Sequence, residues 1–482
     1  MDYGINTYRN PFFICRDGGI KMENTNYLGT EKVSKLLRMF ALPCVLSLVI
    51  QALYNLVDQI FIGHKSSLGA SGNAATGVVY GITVLALGIG LWLGDGSAAN
   101  MSLKQGRGDT KGIGRVVGSV ISYSFILSIL LMIVFFIFQT PILKTMGGYG
   151  DVLDMAKTYS KYIVLGFVLY IMSTVLNPII RADGSPLFAM IAMIIGAVIN
   201  IILDPLFLFA FDMDIEGAAL ATIIGQAVTF VLSIAYLFKS KTFRLKLNDL
   251  IPNSEILSVL KLGISSFLTQ FAIFIITLVN NKMLLNVSVK SGYDVAITQG
   301  GITLAFKVFG IIISIAVGIA AGGQPIIGYN YGAGNISRVK KTFKLIAITC
   351  SIVGIISTII FEAYPQIFLA IFGDGGDGVD HEAYKIFVEK TFRIYLSTIL
   401  LSVLIKVFAI FFQSIGKPLY ATIVSIGRDV VIIVPCAIIL SNVSGVDAFL
   451  FSAPIADTVG FIITIILFII CIRDLKVVEE TK

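Results

Sequence analysis

Residues Val117 to Phe138 read VGSVISYSFILSILLMIVFFIF, an apolar run that contains no charged residue. The run has about the 20 residues that a helix needs to cross a hydrocarbon core about 30 Å thick. Comparable runs occur at Met39 to Ile62 near the start of the chain and at Phe461 to Ile472 near its end. These runs predict a chain that crosses a membrane many times.

The composition of the whole chain agrees with this prediction. The 482 residues are 56% hydrophobic and only 13% charged, and the mean hydropathy is +0.90. Soluble domains carry about 25% charged residues. The composition therefore excludes a soluble domain and predicts an all-α integral membrane protein with the lipid bilayer around it.

The apolar runs, separated by Gly, Pro and charge, predict twelve transmembrane helices in two six-helix bundles. We expect a cytoplasmic arm at 1–38, an N-lobe bundle at 39–238, a cytoplasmic linker at 239–254, a C-lobe bundle at 255–472 and a cytoplasmic tail at 473–482. The expected spans are 39–62, 73–94, 117–140, 159–181, 186–208 and 217–238, then 262–286, 295–321, 345–372, 393–414, 419–440 and 448–471.

The net charge of +7 follows this topology. With both termini in the cytoplasm, the loops on that side hold most of the Lys and Arg, as the positive-inside rule predicts. We see no aromatic interleaving or known module that would predict a nucleic acid partner. The pattern indicates a multi-pass protein of the cell membrane.

The two halves of the chain resemble each other. Gly184-Ser-Pro-Leu-Phe-Ala189 recurs as Gly416-Lys-Pro-Leu-Tyr-Ala421, and Gly106-Arg-Gly-Asp109 recurs as Gly332-Ala-Gly-Asn335. Because each half has an even number of spans, the halves enter the membrane in the same orientation and form a parallel repeat. Such a pseudo-symmetric repeat predicts a substrate path between the bundles, in a protein that needs no second copy to complete it and that we expect to be a monomer.

Asp58 is the first carboxylate inside a predicted span. Such a residue costs about 2.5 kcal/mol or more and therefore invites a functional interpretation. Gln51 and Asn55 precede Asp58 at helical spacing, which places the three side chains on one helix face. The alternative is a polar contact that only holds helices together.

Asp204 is the second carboxylate inside a predicted span, and Asn200 lies one turn before it. Carboxylate and amide oxygens are hard ligands that suit Na⁺, and the same carboxyl groups could instead carry protons. Thr222 and Asn177 are candidates to complete the set of oxygen ligands around the cation. Helix packing alone would also explain why a polar residue stands at either position. Since Asp58 aligns with Asn280 and Asp204 with Cys436, we expect one cation site, in the N-lobe.

Other charged residues lie in or near the later helices. Arg428 and Asp429 are neighbours and should point to different sides of their helix, which argues against a mutual ion pair. The isolated cysteines predict packing rather than redox or metal roles. The set of charged residues, each expected either to pair or to line the path, is Lys307, Glu362, Lys406, Arg428, Asp429 and Asp457.

From about residue 30 to residue 475 the motifs resemble those of the multidrug and toxic compound extrusion (MATE) family, and most of all a bacterial branch of it. The motifs are Pro43 and Asp58; Asn177 through Arg181 to Gly184-Ser-Pro186; Asn200-x-x-x-Asp204-Pro205; Gly217-Ala-Ala-Leu-Ala-Thr222; Gly322-Gly-Gln-Pro325 with Gly328-Tyr-Asn-Tyr-Gly332; Gln413 to Gly416-Lys-Pro418; and Ala453-Pro-Ile-Ala-Asp457.

The resemblance implies a V-shaped pair of bundles that exports small organic cations in exchange for Na⁺ or H⁺, without a cofactor. It also implies a cation site at Asp58, Asn177, Asn200, Asp204 and Thr222, with Na⁺ possible at Asp58, Asn200 and Asp204. Residues expected along the substrate path or at its gates are Pro43, Gln51, Asn55, Arg181, Asn280, Gln324, Gln413 and Arg428.

Two other functions remain open at this point. A flippase of lipid-linked oligosaccharides from the same superfamily would have a similar helix plan, but we would expect more basic residues for pyrophosphate than Lys307, Lys406 and Arg428 supply. A polytopic membrane enzyme is disfavoured because the two histidines, His64 and His381, fall in predicted loops and no nucleophile and base are suitably spaced. We therefore expect a transporter rather than an enzyme.

Overall fold

The computed structural model describes residues 27–65, 67–290, 294–372 and 380–480. Within these ranges, side chains are described except at 55, 56, 69, 70, 277–287, 289, 290, 295, 296, 370, 372 and 474–480.

The described chain is helical throughout. The helices are α1 Tyr27–Thr30, α2 Val33–His64, α3 Gly69–Gly106, α4 Thr110–Thr145, α5 Gly150–Leu165, α6 Phe167–Ala182, α7 Pro186–Pro205, α8 Ile215–Leu237, α9 Glu255–Lys290, α10 Val295–Gly332, α11 Ile336–Ala363, α12 Gln366–Phe372, α13 His381–Tyr395, α14 Ile399–Ser414, α15 Pro418–Ile426, α16 Ile433–Phe449 and α17 Ser452–Glu480. Short π-helices cover Leu206–Ala210 and Gly427–Ile432, and a 3₁₀ turn covers Leu247–Leu250.

Among the described residues, ten helical stretches are long and apolar enough to cross a membrane, and two bent helix pairs, each counted as one span, bring the total to twelve. The prediction of an all-α membrane protein with twelve spans is thus confirmed. The bent pairs are α5 with α6, which meet at 53°, and α13 with α14, which meet at 48°. Each is the fourth span of its half, so the bend belongs to the repeat.

Several helices also extend beyond the predicted spans. The helix predicted at 39–62 begins at Val33, and the helix predicted at 295–321 continues to Gly332. Hydropathy marks only the part of a helix that lies in hydrocarbon. The helical backbone continues beyond the apolar run until a glycine turn or a change of direction ends the helix. The length of an apolar run is therefore shorter than the length of the helix that contains it.

The repeated glycine motifs form matching turns. Gly108 and Gly334 have φ of 75° and 76°, a left-handed conformation that glycine adopts without strain. Asp109 and Asn335 follow them, and each side chain accepts a hydrogen bond from a backbone N–H in the first turn of the next helix. The Gly112 N–H, with a smaller contribution from Lys104, holds the pKa of Asp109 below its usual value.

Apolar side chains are buried in two large clusters. One contains residues between Ile62 and Val259, and the other contains residues from Ile297 to Cys471 together with Leu37 and Ala41 of α2. Each half thus has its own core, and the first part of α2 packs on the C-terminal core. The exact limits of the five predicted regions stay predictions.

The halves meet through close backbone contacts at glycines. A Cβ built on Gly263 of α9 would lie 1.8 Å from the Trp92 carbonyl oxygen of α3, and one on Gly96 of α3 would lie 2.3 Å from the Val259 carbonyl oxygen. Small residues let membrane helices approach this closely. These contacts close one end of the molecule, the end that the basic loops predict to be cytoplasmic.

A second set of close contacts joins α2 to α10. A Cβ on Gly318 would lie 2.7 Å from the Val45 Cα, and one on Gly322 would lie 2.5 Å from the Ala41 Cα. A step of four residues forward along α10, from Gly318 to Gly322, moves the contact four residues back along α2, from Val45 to Ala41. The two helices therefore run antiparallel. A residue of α10 can therefore be matched in depth to a residue of α2.

The turn between α6 and α7 is held by a buried carboxylate, Asp183. Asp183 accepts hydrogen bonds from the Tyr236 hydroxyl at 2.6 Å, from the backbone N–H groups of Lys241 and Thr242, and from the Thr242 hydroxyl. Asp183 was not predicted from the sequence, because it lies in a short turn between two spans. This carboxylate ties the start of the predicted linker, 239–254, to the N-terminal half.

We predict that Gly263→Ala loosens the closed end. The added methyl group overlaps the Trp92 carbonyl, and overpacking of this kind costs about 1–3 kcal/mol. The thermal midpoint in detergent should fall, and a maleimide should label the buried thiol of Cys44, which lies on α2, faster than in the wild type. Gly77→Ala is the control, because its Cβ would meet nothing within 4 Å. Equal labelling of Cys44 in both variants would contradict the prediction.

We also predict that Asp183→Asn lowers the thermal midpoint in detergent. The amide keeps one acceptor oxygen and places an NH₂ group against buried donors, and each donor left unsatisfied costs about 1–3 kcal/mol. Asp154→Asn is the control, since that carboxylate is 78% exposed in its ion pair with Lys157. A midpoint that falls no further in Asp183→Asn than in the control would refute this role.

Candidate functional site

Asp58 of α2 and Asp204 of α7 lie together inside the N-terminal half. Asp204 is fully buried and Asn200 is 3% exposed. The Asp58 and Asp204 carboxyl groups are within hydrogen-bonding reach of each other, and the Asn200 amide donates to Asp204 Oδ1 at 3.3 Å. The structure thus brings together three of the residues that the sequence analysis selected for a cation site.

Two tyrosines complete the surroundings of this carboxyl pair. Tyr54 and the buried Tyr159 both lie within electrostatic range of Asp58 and Asp204. Thr222 shares a side-chain hydrogen bond with Tyr159, so it reaches the site through the tyrosine. Neither tyrosine was predicted from the sequence. Helical spacing could have identified Tyr54, one turn before Asp58, whereas Tyr159 comes from a distant helix.

Three oxygen atoms of the site have no hydrogen-bond partner in the described structure. They are Asp58 Oδ1, Asn200 Oδ1 and Asp204 Oδ2, and all three are buried. A buried polar atom without a partner costs free energy. Two carboxylates in contact have no donor between them, so this arrangement requires either a proton or a metal cation. Hard oxygens of this kind suit both.

Asn177 is on α6 and contacts α7 at a different level. Its amide donates to the Ala189 carbonyl at 3.3 Å and contacts the Met193 sulfur at 3.8 Å. Ala189 precedes Asn200 by eleven residues, about 16 Å along a helix. The structure therefore does not bring Asn177 against the carboxyl pair, because α6 meets α7 near the turn at Asp183 and the carboxyl pair lies near the far end of α7.

The other residues predicted for the path or its gates have varied positions. Gln51 is partly buried on α2, and Gln324 is 2% exposed with its amide nitrogen unpartnered in the described structure. The side chains of Asn55 and Asn280 lie outside the described residues. The roles of these four residues remain predictions.

Arg181 and Gln413 belong to a polar network at the closed end. Arg181 pairs with Asp95 of α3 at 3.6 Å, and Ser266 of α9 donates to the same carboxylate at 2.9 Å. Gln413 donates to the Leu262 carbonyl at 2.9 Å. The network joins the two halves where the glycine contacts bring them together. Asp95 was not predicted as an intramembrane residue, because the predicted second span, 73–94, ends one residue before it.

Pro43 lies inside α2, close to the same closed end. Its carbonyl accepts a hydrogen bond from the Ser47 hydroxyl at 2.9 Å. Proline has no backbone N–H and removes one helical hydrogen bond. This is a point at which α2 can bend.

The C-terminal half contains a buried cluster of four charges. Arg428 donates to Asp457 at 2.7 Å and pairs with Asp429 at 2.9 Å, and Lys406 pairs with Asp429 as well. The expectation that Arg428 and Asp429 do not pair was wrong. The two residues lie in the π-helix Gly427–Ile432, where the turn is wider than in an α-helix, and the long Arg side chain reaches back to its neighbour.

The chain was compared with known proteins. A sequence model of the MatE family matches residues 43–206 and 265–439. The multidrug export protein MepA of Staphylococcus saprophyticus is 26% identical over 96% of this chain and 99% of its own length, and MepA of Staphylococcus aureus strain MSSA476 matches to the same extent. These relatives agree with the bacterial branch that the motifs predicted.

Two solved structures share the fold. A MOP superfamily transporter from Pyrococcus furiosus superposes with a TM-score of 0.85 at 24% identity, covering 95% of this chain and 99% of its own. A multidrug resistance MATE transporter in an outward-facing conformation gives a TM-score of 0.85 at 23% identity over the same shares. The family match covers well over half of the chain, and this chain therefore belongs to the MATE family of multidrug efflux transporters.

Proposed function

We propose that this chain is a secondary active antiporter that exports small organic molecules in exchange for H⁺ or Na⁺. Organic cations are the substrates that the family resemblance implies. The observation that carries the proposal is the buried pair of Asp58 and Asp204, which has unpartnered oxygens and needs a cation between its carboxyl groups. Such a site inside a membrane transporter is suited to bind and release a coupling ion.

The position of the pair supports coupling to the movement of the halves. Asp58 is on α2, and the same helix packs against α10 through Ala41 and Val45. Pro43 lies between these two contact residues and allows α2 to bend. A change of cation occupancy at Asp58 can therefore alter the contact between the halves through a single helix.

The exchange follows if the ion and the substrate favour different states of the transporter. A ligand shifts a conformational equilibrium only by the difference in its affinities for the two states. We propose that cation binding at Asp58 and Asp204 favours a bent or repacked α2, which weakens substrate binding when the cleft is open to the outside. Return to the inward-open state releases the cation and allows the next substrate to bind.

Two of the three basic residues that a flippase could use to hold pyrophosphate are already paired with carboxylates. Lys406 and Arg428 are both paired with Asp429, and Arg428 also with Asp457. Their charge is thus neutralised within the C-terminal half. A pyrophosphate group would have to compete with these carboxylates, so we retain the antiporter proposal.

We predict that Asp58→Asn and Asp204→Asn each abolish exchange. An amide neither takes up nor releases a proton near neutral pH, and it is a weaker ligand for Na⁺ than a carboxylate. In proteoliposomes with a separately imposed Na⁺ or pH gradient, the wild type should export the zwitterionic dye rhodamine 110. The initial rate should fall at least about tenfold in each variant, which corresponds to about 1.4 kcal/mol.

Asp154→Asn is the matched control, because its surface ion pair is worth about 0–1 kcal/mol. The gradient that drives efflux identifies the coupling ion. An Asp204→Asn protein that is folded and exports with unchanged ion dependence would refute the proposed site. No efflux from the folded wild type under either gradient would refute the antiporter proposal.

A further inference from the structure

Lys307 is a basic residue of α10 that none of the networks above includes. It is exposed although α10 forms part of a transmembrane span. In the described structure it has neither an ion pair nor a hydrogen bond, unlike Lys406 and Arg428 on neighbouring helices of the same half. An unpaired ammonium group within a span is costly unless it faces water.

The helical register of α10 shows which way Lys307 faces. Gly318, which contacts Val45 of α2, lies eleven residues after Lys307, about three turns at 3.6 residues per turn. The two residues are therefore on the same face of α10. Ile302 and Ala305, on the opposite side, are buried in the C-terminal core. Lys307 faces the N-terminal half and not the surrounding lipid.

The two halves separate at the level of Lys307. A Cβ built on Gly310 would meet nothing within 4 Å, in contrast to Gly318 and Gly322 further along α10. Thr303, one turn before Lys307, is exposed. On the opposite wall Ala52, seven residues after Val45 and therefore on the same face of α2, lies within one residue of the level of Gly310 and is partly exposed. We call this space the central cleft, lined by Ala52, Thr303, Lys307 and Gly310.

The same register gives the depth of Lys307. Gly318 is level with Val45 and Gly322 with Ala41, so Lys307 is level with residue 56 of α2, two residues from Asp58. The cleft therefore has an ammonium group on its C-terminal wall at the depth of the carboxyl pair. Its other wall near this level is apolar at Ala52.

We propose that the central cleft binds substrates that carry a carboxylate, held by Lys307, on an apolar or aromatic body. The inference rests on the exporter function proposed above and narrows its substrate class. A substrate that also has a basic group, a zwitterion, satisfies both this requirement and the expectation of organic cations. A charge-assisted hydrogen bond to an ammonium group is roughly twice as strong as a neutral one.

The test compares two dyes that differ only at the carboxyl group. Rhodamine 110 has a free carboxylate, and rhodamine 123 is its methyl ester. Binding is measured by fluorescence anisotropy with the full-length protein in nanodiscs of phosphatidylcholine, which supplies no anionic lipid to compete for Lys307. The wild type should bind the free acid at least about tenfold more tightly than the ester, the ratio expected for one charge-assisted hydrogen bond.

Variants at Lys307 make the assignment specific. Lys307→Met should remove the preference for the free acid. The affinity for the acid should fall about tenfold, and the affinity for the ester should stay unchanged. Lys307→Arg should keep the preference, and Lys307→Glu should reverse it. Lys344→Met, an exposed lysine near the start of α11, is the control and should bind both dyes as the wild type does.

Three results would overturn the proposal. They are a wild type that binds the ester as tightly as the acid, a wild type with no saturable binding of the acid, and a Lys307→Met protein that loses affinity for both dyes equally. Failure here is distinct from failure of the antiporter. Dye selectivity without gradient-driven efflux would refute only the exchange, and gradient-driven efflux lost in Asp58→Asn without dye selectivity would refute only the carboxylate site.

Discussion

Hydrocarbon offers no water to an ionised side chain, and this constraint organises every charged group inside the spans. The structure meets it in three ways. Arg181 with Asp95, and the cluster of Arg428, Asp429, Asp457 and Lys406, neutralise one another. Asp58 and Asp204 lie in contact and need a cation between them. Lys307 faces the central cleft. The first solution builds a fixed structure, whereas the other two leave charge available to a ligand.

The glycine contacts determine which charges remain available. Gly96 and Gly263, and likewise Gly318 and Gly322, bring the backbones of opposite halves together at one end. Helices α2 and α10 touch near this end and separate away from it. The space beside α10 is already open at Gly310, eight residues before the contact at Gly318. The polar network of Arg181, Asp95 and Ser266 lies at the closed end and is sealed. Lys307 lies beyond it, where the halves have parted.

Much of this organisation could be predicted from the sequence, because it depends on local pattern. Span number follows from apolar length, the repeat from matching glycine turns, and the pairing of Asn200 with Asp204 from helical spacing. The features that were missed depend on contacts between distant segments or on irregular backbone. Tyr159 reaches the carboxyl pair from another helix, and the ion pair of Arg428 with Asp429 requires a π-helix that no apolar period reveals.

The two available charges differ in a way that bears on exchange. The carboxyl pair can change its net charge when it gains or loses a cation, while the ammonium of Lys307 is fixed and lies at a similar depth. In the proposed exchange, Lys307 holds the carboxylate of a substrate whether or not the Asp58 and Asp204 pair has bound its cation. The basic group of the same substrate is attracted to the pair only when the pair is negatively charged. Cation binding then weakens substrate binding, and by linkage the substrate weakens cation binding by the same factor. A fixed charge on one half and a variable charge on the other would thus suffice for competition without direct contact between substrate and ion.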